Sequence, residues 1–459
     1  MQRLTEPLLE HVTGLRFEAL HPDTAHAART FVLDSIAVGI SGSGSEVPLA
    51  ATVREVARDF GEGREARAWV TGEWLPAGSA GFLNGFRIHN QEFDCVHMPA
   101  VVHPMAVILS ALTAEAERMG GVDGRRFITA LAAAVDVATL LGISARDPMR
   151  FFRPAMCGAL GAVAGMASLH RVDAAMLRNA LGLAYSHLSG TMQAHVEGSP
   201  TLALQIALNS RAALSTWRLA QAGFPGPQEA LEGPFGYLPL IEGGFDTGPA
   251  LQALAAGGRQ LEQVSHKVFP TGGAAHGALD MLTELRDAHG LAAGDVERIE
   301  LFAPPLVRRL VARPYRADMQ ASYARLCLPY LAATLFHDGA VGLVAYTPEK
   351  LADPTRAAFA QRLQVLPNDC EDPNALVPQS LALTTTDGRR LQAHREAALG
   401  SPQRPLTRER QLAKFHHCLD HAARPFPQER REHIIDTIAR LEALPDVRQL
   451  VDLLIPEPA

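Results

Sequence analysis

From about Thr24 to about Gly258 the chain is written almost without interruption in a helical period, in stretches that are apolar nearly all the way round. HAARTFVLDSIAVGISG, AVILSALTAEAERMGG, GRRFITALAAAVDVATLLGIS and RAALSTWRLAQAGF are the clearest. A helix with no polar face has to be covered on all sides, so this half predicts an all-helical domain whose central members are buried in one another. Gly120-Gly121 and Gly223 stand where helix ends are expected, because glycine takes the left-handed conformation that closes a helix. GALGAVAG (Gly158–Gly165) has no strand before it and fails as a dinucleotide fingerprint; its glycines predict close helix packing.

The texture changes near Ser265. VERIELFA (Val296–Ala303) alternates like a strand, and LALTTTDGRRLQA (Leu381–Ala393) places Thr-rich strand residues around the hairpin signal Asp387-Gly388. SYARLCLPYLAATLFHDG reads as one helix between them, and after Pro405 the helical pattern returns to the end of the chain. The expected fold is mainly α: a helical domain made of residues 1–264 and 401–459, with a smaller α+β lid domain, 265–400, inserted between them. A length of 459 residues agrees with roughly two domains.

Composition removes several classes of function. The formal net charge is -7 and there is no long basic run to track a phosphate backbone, so no nucleic-acid partner is expected. No uncharged apolar run reaches membrane-spanning length, and the five cysteines (Cys95, Cys157, Cys327, Cys370, Cys418) lie far apart without a CxxC pair. A cytoplasmic protein with no membrane partner, no disulfide framework and no structural zinc is expected.

Chemistry concentrates in two segments. The first runs from His89 to Pro104 and holds His89, Glu92, Asp94, His97 and His103 between two apolar helical stretches. Pro99 and Pro104 oppose a continuous helix there, so these groups belong on loop and helix-end backbone. Histidine can take and return a proton near neutral pH, and a neighbouring carboxylate can orient it, which makes this an acid/base candidate. Helix capping is the plain alternative for any single residue. A metal site is a minority alternative, since no HExxH-type spacing is present. The second segment, Ser265 to His276, sets Lys267 beside Gly272-Gly273, with His276 opening an apolar helix. Such an arrangement can bind an anion through the ammonium and free backbone N–H groups. Tyr330, alone in an apolar helix, reads as core unless a site surrounds it.

The ordered blocks VLDSIAVGISG, NGFRIHNQEFD followed by His103-Pro104, CGALGAVAGMASL, AQAGFPGPQEALEGPFGYL, HKVFPTGGAAH, PYLAATLFHDGAV and PLTRERQLAKF resemble the MmgE/PrpD family over nearly the whole chain. The resemblance implies a homodimer with a site in the cleft between the two domains. It also implies a site without cofactor or metal, and a small carboxylated substrate that loses a proton beside its carboxylate. The family's HxxDFDD segment falls on His89, Glu92, Phe93, Asp94 and Cys95, and its HP histidine on His103; its lid lysine and the following histidine fall on Lys267 and His276, and the tyrosine of the decarboxylase branch on Tyr330. Two departures stand out. Arg153 replaces a family histidine before the glycine-rich helix, and in the TKxLH segment Leu202 replaces the lysine and Gln205 the histidine, with His195 just upstream. The expected machinery is His103 as proton-transferring group oriented by Asp94 or Glu92, with Lys267 and Arg153 on the substrate carboxylate and His276 and Tyr330 as further donors. His89, His97, Gln205 and His195 are expected to line the binding site. Dehydration of a hydroxy-carboxylate leads, with isomerisation or epimerisation, decarboxylation, or an inactive carboxylate-binding protein as alternatives.

Overall fold

A computed structural model describes residues 3–44, 47 and 49–457. Its helical part is built around Gly124–Ser144, the one described helix long and apolar enough to cross a membrane; 94% of its apolar window is buried inside the protein, so here it serves as the central strut. Arg153–His170 and Pro104–Arg118 pack against it, and Ala77–His89 and Thr201–Gln221 complete the layer. The glycine stripe explains how closely they approach. A Cβ on Gly158 would lie 2.9 Å from Val107, one on Gly161 2.5 Å from the Ala134 carbonyl oxygen, and one on Gly165 2.9 Å from the Ala134 methyl.

Helix ends follow local chemistry. Asp123, Asp173 and Thr407 accept hydrogen bonds from Arg126 N, Met176 N and Arg410 N, satisfying donors that a helix N-terminus leaves free. Pro104 opens its helix at the first position, where its missing N–H costs nothing. The continuous helix through the His89–Pro104 segment that the two prolines oppose is absent: one helix ends at His89 and the next begins at Pro104.

The smaller part holds a four-stranded sheet in the order Leu363–Pro367, Val296–Ala303, Gln379–Thr385, Arg390–Arg395, the first pair parallel and the others antiparallel. Val296–Ala303 matches the alternation read from sequence, and the hairpin turns at Gly388 with φ +87°. Helix His276–His289 covers the last two strands. The chain enters and leaves this region side by side, where His266 N donates to Gly400 O at 2.9 Å. It then returns to the helical layer: Arg408–Asp420 packs on Pro22–Ser41, with Lys414 Nζ donating to Asp34 Oδ1 at 2.7 Å and to Phe93 O at 2.8 Å. The expectation of one mainly α architecture with a small α+β part therefore holds.

One expected helix is broken. SYARLCLPYLAATLFHDG forms a short turn, Ala321–Ala324, and a separate helix, Leu328–Asp338. Pro329, which has no N–H to donate, fits only the first turn of a helix, so a new helix starts here with Cys327 extended before it at φ -106°, ψ 92°. The break leaves Arg325 in an irregular segment.

Candidate active site

A two-residue antiparallel ladder joins the two chemical segments, pairing Val96 with Ser265 and His97 with Val264. This short pairing brings Lys267 over the acidic loop. Its ammonium, fully buried, donates to Glu92 Oε2 at 2.8 Å and to Glu92 O at 3.1 Å, and lies 3.7 Å from Asp94 Oδ1. Glu92 itself has φ +53°, a conformation an L residue rarely adopts, held here by the buried ion pair.

Asp94 is the hub. It is fully buried, and its Oδ2 accepts from Nδ1 of His89 at 3.0 Å and from Nδ1 of His103 at 3.1 Å. The two imidazoles meet edge to face, with centroids 5.0 Å apart and planes at 88°. Burial opposes charge on Asp94, but the two histidines and Lys267 overcome it and hold the carboxyl well below its usual range. For Glu92, burial is likewise outweighed by Lys267 and the histidines, which bring it down to about 2. The histidines diverge. Burial lowers both, yet Asp94 and Glu92 lift His89 above its ordinary value, whereas burial and the Lys267 charge keep His103 below it. The two histidines on one carboxylate thus differ in proton affinity, His89 holding a proton more readily than His103.

A cavity of about 910 Å³ opens beside this cluster. His89 and Glu92 reach it; His103, Lys267, His276, Tyr330, Arg153, His97, His195 and Gln205 are not among its lining residues. The histidine that lines the cavity is therefore His89, whose Nε2 makes no hydrogen bond and lies 3.6 Å from Glu92 Oε1, while His103 shares its carboxylate.

The remaining expected residues separate into structural roles. Arg153 is not free to meet substrate: its Nε and Nη2 grip Glu242 at 3.0 Å and 2.8 Å, Nη1 donates to Ala100 O, and Tyr237 Oη also donates to Glu242. His97 is satisfied between Gln260 Oε1 at 3.1 Å and the Ala100 N–H at 3.2 Å, and burial brings it down to about 4. His195 accepts from Arg313 at Nδ1 and at its carbonyl, and burial and Arg313 bring it down to about 3. His276 is buried at the start of its helix, neutral, with neither ring nitrogen in an ordinary hydrogen bond; burial and Lys267 bring it to about 3. Tyr330 is core, its hydroxyl donating to Ala345 O. The Gln205 amide has both side-chain polar atoms buried without partners, in the space a side chain at position 190 would need.

Two lining residues were not singled out as candidates in the sequence. Arg325 is 6% exposed, with Nη1 donating to Gln91 O at 2.9 Å and to Pro270 O at 3.3 Å, and its guanidinium lies 4.1 Å from the centre of the Tyr346 ring. Among the described residues no carboxylate lies within ion-pair distance of it. Tyr346 donates to Pro270 O at 2.7 Å. A buried cation without an acid partner costs free energy unless something anionic meets it. The signal in the sequence was Pro329, which must sit in the first turn of a helix and so leaves Arg325 in the irregular segment before it, on the cavity wall.

His89, Asp94 and His103 could also offer three ligand atoms to a metal, all within 4.8 Å of one another. The Lys267 ammonium, 3.7 Å from Asp94, already supplies positive charge there and opposes a dication.

Residues 6–250 match the MmgE/PrpD N-terminal domain and residues 269–441 the MmgE/PrpD C-terminal domain. The chain belongs to the MmgE/PrpD family. The cis-aconitate decarboxylases of Mus musculus and Homo sapiens are each 24% identical to it, covering 99% of this chain and 94% and 95% of theirs. The cis-aconitate decarboxylase-like protein oryM of Aspergillus oryzae is also 24% identical, over 98% of this chain and 97% of its own. Membership and these relatives support an enzyme of dehydratase or decarboxylase type acting on carboxylates.

Proposed function

We propose that this protein is a cofactor-independent lyase that removes a proton from the carbon beside a carboxylate and expels a neighbouring hydroxyl as water. The observation that carries the reading is the pair of imidazoles on Asp94, one of which, His89, lines a large cavity and keeps an Nε2 that makes no hydrogen bond, 3.6 Å from Glu92 Oε1. His89 in its neutral form takes the α-proton at Nε2. Asp94 accepts from its Nδ1–H, so the imidazolium that forms is held and oriented. Electron density moves toward the carboxylate as the C–H bond breaks, and Arg325 stabilises it at the cavity wall. The C–O bond then breaks, and the departing hydroxide takes a proton from the imidazolium. His103, kept neutral, fixes Asp94 from its other side, and Lys267 keeps Glu92 and Asp94 ionised.

The names of the relatives favour a second reading, loss of carbon dioxide, in which His89 starts as the imidazolium, the C–C bond to the leaving carboxylate breaks, and the electron pair left on the substrate takes the His89 proton. Incubation with hydroxy- and unsaturated carboxylates, followed by proton NMR and carbon dioxide release, separates the two. New vinylic signals without gas support dehydration, and gas with one carboxylate lost supports decarboxylation. Neither product, with tight carboxylate binding, supports an inactive binding protein. A homodimer in the cytoplasm belongs to the same proposal, and the unpaired state of all five cysteines agrees with a reducing compartment.

A further inference from the structure

The lining of the cavity is lopsided in a way that speaks to its ligand. Arg325 is the single Lys or Arg among the described lining residues, against three carboxylates, Glu92, Asp318 and Glu349. Glu92 is neutralised by Lys267, but Asp318 and Glu349 are exposed and remain as negative charge on the wall. The other cations near the site are committed elsewhere: Lys267 to Glu92, Arg153 to Glu242, and Arg313 to His195. Much of the remaining wall is hydrocarbon. Leu202, Ala203 and Phe86 come from the helical layer, and Leu326, Leu343 and Leu351 from the smaller part. The volume, about 910 Å³, far exceeds what a four-carbon acid fills.

Resting on the proton-transfer reading above, we infer that the ligand is a monocarboxylate with an extended apolar chain, its head on Arg325 and its chain along Leu202, Leu343 and Leu351. One fixed cation matches one carboxylate. Arg325 is tied to the Gln91 carbonyl, on the segment that carries His89 and Glu92, so a head group on Arg325 sets the adjacent carbon near the His89 imidazole. A second or third carboxylate would be buried against leucine with no counter-charge, or would face Asp318 and Glu349. Leu202 is the selector, since it occupies the cavity wall at the start of helix Thr201–Gln221.

Calorimetric titration of the intact protein with 3-hydroxybutanoate, 3-hydroxyhexanoate and 3-hydroxyoctanoate, and with malate and citrate, tests this without any variant. Affinity is expected to rise by about fourfold per added methylene until the cavity is filled. Malate and citrate are expected to bind more weakly than the eight-carbon acid. In Leu202→Lys the order should move the other way, with malate gaining and 3-hydroxyoctanoate losing about tenfold or more. Affinity that ignores chain length, or tighter binding of malate or citrate to the unaltered protein, would overturn the inference. Deuterium entry from heavy water, followed in the same samples, reports separately on chemistry. Chain-length-dependent binding without deuterium entry upholds the pocket assignment and defeats the proton-transfer reading. Labelling of citrate or malate in preference to the monoacids does the reverse.

Discussion

Asp94→Asn keeps the shape of the hub and removes its charge. The carboxylate accepts from two imidazole Nδ1 atoms at 3.0 Å and 3.1 Å and faces Lys267 at 3.7 Å. An asparagine has one acceptor oxygen. If it keeps both histidines, its NH2 points at the Lys267 ammonium; if it turns over, the histidines meet donors. Each hydrogen bond to a charged acceptor contributes about 1.5–3 kcal/mol, part of which is returned because the amide costs less to bury. A net loss of about 3 kcal/mol in unfolding free energy is expected, measured by urea denaturation at pH 7. His89 loses its main support for the charged form, so its affinity for protons falls. The acid limb of the pH–rate profile for deuterium entry should move to lower pH, and the maximal rate should fall by about 10⁴-fold, as when a carboxylate that orients a catalytic imidazole is neutralised. Ring NMR signals of His89 report the same displacement directly. A variant with the parent rate and an unmoved pH profile would refute the role given to Asp94.

Acid stability follows from histidines that are neutral when buried. His97 and His266 are brought down to about 4 by burial, and His195 and His276 to about 3, so below the ordinary histidine range the unfolded chain binds protons that the folded one refuses. Stability is expected to fall as pH drops from about 6.5 toward 5, with about four protons taken up on unfolding at pH 5; a flat dependence of urea midpoints would contradict it. Glu92, at about 2, and Asp94 act in the same sense lower down, their contribution present above the ordinary carboxylate range and lost as the pH falls from there through their lowered folded-state values. Arg153→Met should cost about 3–5 kcal/mol by leaving Glu242 buried and unpaired, and Glu242→Gln in the same chain should restore part of it. Unchanged ligand affinity in whatever folds would separate this structural role from substrate binding. Gly161→Ala should lower the thermal midpoint, since its methyl would meet backbone 2.5 Å away, at a cost of about 1–3 kcal/mol; an unchanged midpoint would show that the helices yield.

What could be read in the sequence was what depends on neighbours in the chain. The strand Val296–Ala303, the Gly388 hairpin, the proline-broken loop from His89 to Pro104 and the glycine stripe of Gly158–Gly165 all follow from local periodicity and backbone preference. Asp94 with its histidines was within reach for the same reason, being contained in fifteen residues, His89 to His103. Roles set by distant partners were not. His97 is quieted by Gln260, 163 residues away, Arg153 by Glu242, 89 away, and Lys267 by Glu92, 175 away. Which of His89 and His103 meets the cavity depends on how the two parts of the chain enclose it. Arg325 was hidden by apolar neighbours that read as one helix, although Pro329 marked the place where a new helix had to begin.

The most direct measurement is NMR detection of solvent deuterium at the α-carbon of a bound carboxylate, comparing the unaltered protein with His89→Gln. The unaltered protein should label the position, and the variant should bind the same compound while labelling it at least about a hundredfold more slowly, the contribution typical of a positioned acid/base group. Equal labelling by the two proteins would show that the proton is taken by another group and would contradict the assignment of His89.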